Sequence, residues 1–235
     1  MNKALNPESP LHFLPKEFGE EKLMILDSLR FTLEMLDYSY EQLIQCLTSV
    51  SLNLENKIHF KIFHYAWTMI DHGQRFQKLY LTLNPPEESI IKDLNYLDKF
   101  RNAIQHVDLN LKKTNVKMIE NGRPIYGALK WVVCNNETNE TFASMLISGI
   151  FNINNIAFKQ HEQGGYLNLI NEIILETDTL KKKDENEINL CKLIRDISII
   201  TKNLDSNLIE TINSNKLQTL DWKSRKDVLL NMKNE

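Results

Sequence analysis

Apolar residues recur every three or four positions over two long stretches near the start of the chain, the spacing of a helix face. Leu26, Leu29, Leu33, Leu36, Tyr40, Leu43, Leu47 and Val50 form the first seam. It predicts a helix from about Glu20 to a break at Ser51-Leu52-Asn53-Leu54. Ile58, Ile62, Tyr65, Met69, Phe76 and Tyr80 repeat the spacing and predict a second helix over about Glu55 to Leu81. Two long helices joined by a short connection are expected to pack antiparallel, the start of a bundle. Asn84, Pro85, Glu87 and Glu88 supply a cap, a first-turn proline and dipole-matched acids for a third helix. That helix is expected to run to about Gln105, with Ile90, Leu94, Leu97 and Ile104 on one stripe.

After Asp108 the period changes. Val116 to Glu120, an Asn121-Gly122 turn and Pro124 to Cys134 read as a hairpin, because Asn-Gly suits the tight two-residue turn. Thr141 to Phe151 reads as the third strand of a β-meander. Helical spacing is expected again in Leu167, Ile170, Ile174 and Leu175, and in Leu190, Ile194, Ile197 and Thr201. Between them, residues 181–187 read as a solvated connection. A short last helix is expected over Leu217 to Glu235, anchored by Trp222. Fold class is therefore mainly α, an antiparallel helical bundle with an inserted β-meander at about 116–151. The whole chain reads as one domain: an irregular leader tacked on at 1–17, a helical core at 18–110, the β insertion, and C-terminal helices at 165–235.

Composition narrows the class little further. Hydrophobic content of 42% and charged content of 25% are ordinary for a globular protein. No apolar run approaches the ~18 residues that span a bilayer. The start of the chain has prolines and charges and no apolar core, so a cytoplasmic protein is expected. Cys46, Cys134 and Cys191 stand apart, with no Cys-x-x-Cys pair to suggest zinc. His59, His64 and His72 belong to no ligand motif and read as structural histidines. His72 is the exception: it interrupts the apolar stripe between Met69 and Phe76 and is expected to look into a polar cleft. Asp71 and Arg75 flank it as weaker candidates.

The polar residue that stands out is Arg101, on the stripe of Leu94, Leu97 and Ile104 where an apolar residue would be expected. A guanidinium stays charged at ordinary pH, so it needs a partner or water. His106 follows five residues later. Histidine moves protons near neutral pH, and arginine grips a phosphate through two parallel bonds. Together they suffice in principle for cutting RNA without a metal. The bland alternative is a helix C-terminus satisfied by a positive histidine, with Arg101 paired to Asp98 one turn earlier. In a continuous helix residues five apart lie about 140° apart, so both can serve one site only if the helix ends near Gln105 or a second subunit completes the geometry.

Charge is distributed unevenly. The chain carries −3, but Asp98 to Lys130 holds seven bases against three acids, a local +4 that leaves −7 elsewhere. Lys99, Lys112 and Lys113 are candidates for contacts with an RNA backbone; solvated loops are the plainer use of such lysines.

An arginine, a polar residue, a short spacer and a histidine at the end of a bundle helix resemble the signature of the HEPN family. Arg101, Asn102 and His106 carry the match, and the helical pattern extends it over roughly residues 20 to 110. One subgroup has a tyrosine two residues after the histidine; Asp108 stands there. The resemblance implies an all-α bundle that dimerises, with two Arg–His motifs meeting in one cleft. It implies no metal and no cofactor. It implies catalysis by Arg101 and His106, with Asn102 positioning the backbone or the His ring. Many members are ribonucleases of toxin–antitoxin or phage-defence systems, so RNA, a second copy and an antitoxin or regulatory protein are the expected partners. Others are non-catalytic modules that bind RNA or nucleotide or act as scaffolds. The overall acidic charge fits that second class, the local positive charge the first.

Overall fold

The computed structural model describes residues 3–52, 58–83, 85, 89–105, 126–135, 141–148, 167–177 and 186–219. Among them the protein is mostly helical, with one four-stranded antiparallel sheet. The first two helices form where the seams lie: α1 spans Glu20–Leu52 and α2 spans His59–Thr82. Every residue of the first seam is buried, as are Ile62, Met69, Phe76 and Tyr80 of the second. α1 packs along α2. No helix among the described residues is long and apolar enough to cross a membrane.

The expected third helix is two: α3, Ser89–Asp93, and α4, Tyr96–Gln105. Between them the backbone tightens to i→i−3 bonds, with Leu94 N–H on the Ile91 carbonyl at 3.3 Å and Asn95 N–H on that of Lys92 at 3.0 Å. The cause is a side chain of α2. Gln77 Nε2 donates to the Ile91 carbonyl at 3.1 Å and to Asn95 Oδ1 at 2.7 Å, taking the acceptor that Asn95 N–H would use in a continuous helix.

Strands β1, Ala128–Asn135, and β2, Thr141–Ile147, pair antiparallel from Ala128–Ile147 to Cys134–Thr141, as expected for the second and third strands of the meander. The strand expected at Val116–Glu120 and its Asn-Gly turn lie outside the described residues. The sheet is not a meander of consecutive strands. The other neighbour of β1 is β3, Leu167–Glu176, where a helix was expected. Ile173 and Leu175 are buried while Glu172 is exposed and Ile174 only half-buried. Burial therefore alternates by two residues, and four apolar side chains that also fit helical spacing belong to a pleated strand. β3 continues to β4, Glu187–Asn189, giving the order β2-β1-β3-β4. The expected solvated connection thus ends in a strand; residues 181–185 lie outside the described residues.

β4 leads directly into α5, Leu190–Ser214, which confirms the expected helix. The Asn189 side chain caps it by accepting from Lys192 N–H at 2.9 Å. Leu217–Thr219 are not helical, and the rest of the expected last helix, with Trp222, lies outside the described residues.

Leu129, Trp131, Ile173, Leu175 and Ile188 turn one sheet face inward, and they join the helical seams in one hydrophobic core. Trp131 Nε1 donates to Ser51 Oγ at 3.0 Å, tying β1 to the last turn of α1. The leader belongs to the same core rather than hanging from it. Ala4, Leu5, Leu11 and Leu14 are buried, and the Asp37 carboxylate accepts from Ala4 N–H at 2.6 Å and Leu5 N–H at 3.0 Å.

Candidate functional site

Leu94, Leu97 and Phe100 seat α4 by their apolar side, and Arg101 stands at the edge of that contact, 30% exposed by side chain. Its Nε donates to Asp71 Oδ1 on α2 at 2.7 Å, rather than to Asp98. Asp71 Oδ2 accepts from Arg75, one helical turn later, at 2.9 Å. Two guanidiniums therefore share one carboxylate, and this trio carries net positive charge.

The Asp71–Arg101 bond is one rung of a polar ladder between the two helices. Gln74 Nε2 donates to Asp98 Oδ1, and Gln77 Nε2 to Asn95 Oδ1. Each step of three along α2 matches a step of three backwards along α4, so the helices run antiparallel here with a single register. Lys78 adds an ion pair to Asp98 at 3.4 Å. Gln74 and Gln77 are buried, so their amides are costly to leave unpaired and pin the register strongly. Gly73 lies between these rungs. A Cβ there would stand 3.3 Å from Leu97 and 3.4 Å from Leu193, so the missing side chain lets α4 and α5 close on α2.

His72 follows Asp71 and is buried on the Met69–Phe76 stripe, about 100° around the helix from Asp71. Its Nδ1 has no hydrogen-bond partner among the described residues. Burial lowers its pKa, Arg75 lowers it further, and Asp71 opposes them, so His72 is neutral at pH 7. Lys99 and Asn102 are exposed on α4. His106, Lys112 and Lys113 lie outside the described residues. His59 and His64 are exposed on α2, and no group of His, Cys, Asp and Glu among the described residues could hold a metal ion.

Asp71 was legible only as a flanking residue, and the roles of Gln74 and Gln77 were not read at all. The signal was present: three polar residues at steps of three, Asp71, Gln74 and Gln77, on a helix whose neighbouring faces are apolar. Chemically, the arrangement offers an oriented guanidinium beside a second one, a means of holding and neutralising a phosphate. Comparison of the chain with models of protein families, with curated proteins and with solved structures finds no match.

Proposed function

We propose that this protein is a HEPN-type endoribonuclease that cuts single-stranded RNA without a metal, as a homodimer, in the manner of a toxin or phage-defence effector. One observation carries the reading: Arg101 of the Arg-Asn-x3-His stretch sits in the last half of α4 with its guanidinium held by Asp71 through Nε at 2.7 Å. An oriented, partly exposed cation is what phosphoryl transfer needs at the charged transition state. In the proposed reaction the 2′-oxygen attacks the adjacent phosphorus and the bond to the 5′-oxygen breaks. His106 takes the 2′-OH proton or protonates the departing 5′-oxygen; two copies of the motif in one cleft supply both roles. Arg101 offsets the charge of the phosphorane. Lys99, with Lys112 and Lys113, attracts the backbone, Asn102 positions the backbone or the His106 ring, and neutral His72 supports the α2 side of the site.

The second reading is a non-catalytic interaction or nucleotide-binding module of the same fold. The ladder favours it, because Asp71–Arg101 also serves as a structural rung holding α4 on α2. Purified wild type, His106→Ala and Arg101→Ala, incubated in EDTA with mixed-sequence RNA, decide between them. The ribonuclease reading expects cleavage that leaves 2′,3′-cyclic phosphate ends. Loss of the proton shuttle should slow it ~10²–10⁴-fold. A silent wild type, or variants as active as wild type, hands the site to the second reading.

A further inference from the structure

We infer that Asp71 is a positioning residue for RNA cleavage, acting through Arg101; this rests on the ribonuclease reading above. An arginine side chain has many rotamers, and its usefulness to a transition state depends on where its plane lies. A charge-assisted bond at Nε, 2.7 Å from Asp71 Oδ1, holds that plane from the edge of the guanidinium. The anchor itself is firm. Asp71 lies in the middle of the 24-residue α2, between buried Ile70 and buried His72. The rungs from buried Gln74 to Asp98 and from buried Gln77 to Asn95 stop α4 from sliding past it. Both carboxylate oxygens already accept from guanidiniums, Arg101 on one and Arg75 on the other. That suits a fixed orienting group, not a proton acceptor. Arg75 also offsets part of the Asp71 charge, so the anchor does not cancel the attraction of the site for an anion.

A positioning role has a kinetic signature that a purely structural ion pair lacks. Asp71→Asn keeps an oxygen near Nε but removes the charge that holds it. A misplacement of about 1 Å costs ~10²-fold, so kcat should fall by about that factor with KM little changed. The pH–rate profile should keep its shape, because Asp71 takes no part in the proposed proton transfer. The loss should vanish in an Arg101→Ala background, where there is no guanidinium left to orient. Asp71→Glu, which keeps the charge on a longer stem, should recover part of the rate. Single-turnover assays with excess enzyme on a short fluorescent RNA read all of these, with melting curves as a check on folding. Full kcat in Asp71→Asn, or losses that multiply in the double variant, overturns the inference and leaves the ribonuclease reading standing. A wild type that cleaves nothing removes both.

Discussion

Ser9 and Asp205 stand 196 residues apart in the chain and share a buried hydrogen bond: the Ser9 hydroxyl donates to Asp205 Oδ1 at 2.6 Å. The bond pins the leader to the middle of α5. Burial pushes the Asp205 carboxyl up to about 6 from the ordinary 3.8, and the Ser9 bond offsets only part of that. Between those two values folded Asp205 keeps a proton that the unfolded chain has released. The folded state therefore binds more protons, and stability falls as pH rises through the window, by about 2–3 kcal/mol in all. Asp205→Asn keeps an acceptor for Ser9 and carries no charge. It should melt above wild type at pH 7.5, with the gap closing toward pH 4. Melting curves across that range check the direction; a gap that widens toward pH 4 contradicts it.

Gly127 immediately precedes β1 with φ at +91°, and a Cβ there would stand 2.3 Å from the Glu176 carbonyl oxygen at the end of β3. Neither the backbone conformation nor the contact admits a side chain. Gly127→Ala should destabilise the protein by about 2–4 kcal/mol through strain and overpacking at the β1–β3 pairing. Urea titration followed by far-UV circular dichroism gives the value. A change under 0.5 kcal/mol would show that the strand end repacks freely.

Ser51→Ala should cost about 1–3 kcal/mol, because it strands the indole N–H of buried Trp131 without an acceptor. Tryptophan emission should report the change locally, since the link joins β1 to the end of α1. An unchanged melting temperature and spectrum would mean that another acceptor takes over.

Gln77→Ala removes the donor that holds the Ile91 carbonyl and Asn95 across the α3–α4 break. The expected loss is again about 1–3 kcal/mol, the cost of a buried polar group left unpaired. If α4 also shifts relative to Asp71, RNA cleavage should fall more than stability alone explains. Comparing kcat at a temperature where the variant is fully folded separates the two effects.

Two consequences of the proposed function remain to be measured. Arg101→Lys keeps the charge but loses the planar fork and the Nε bond to Asp71, so cleavage should be severely impaired rather than preserved. Light scattering at micromolar concentration should give about twice the 27.5 kDa chain mass, as an isologous dimer requires. A monomer under all conditions would remove the composite-site form of the proposal.

Helices whose signal is local could be read from residue spacing alone. Leu26 through Val50 repeat at steps of three and four, and burying that stripe needs nothing beyond another apolar surface, so α1 was legible to within two residues. α2 was legible too, though it starts at His59 rather than about Glu55, and α5 was read only as far as Thr201 of its run to Ser214; Arg101 was marked because a charge interrupted such a stripe. Which element met which was set by packing. Leu167, Ile170, Ile174 and Leu175 satisfy both periods, and pairing with β1 settled them as a strand. The third helix broke because Gln77, fourteen residues upstream of Ile91, supplied a competing donor. Asp71, not Asp98, claimed Arg101 across thirty residues of chain, and Ser9 reached Asp205 across 196. Periodicity records which side of an element is buried; it carries no information about the polar partner waiting there, because that partner is chosen by how the elements pack and not by spacing along the chain.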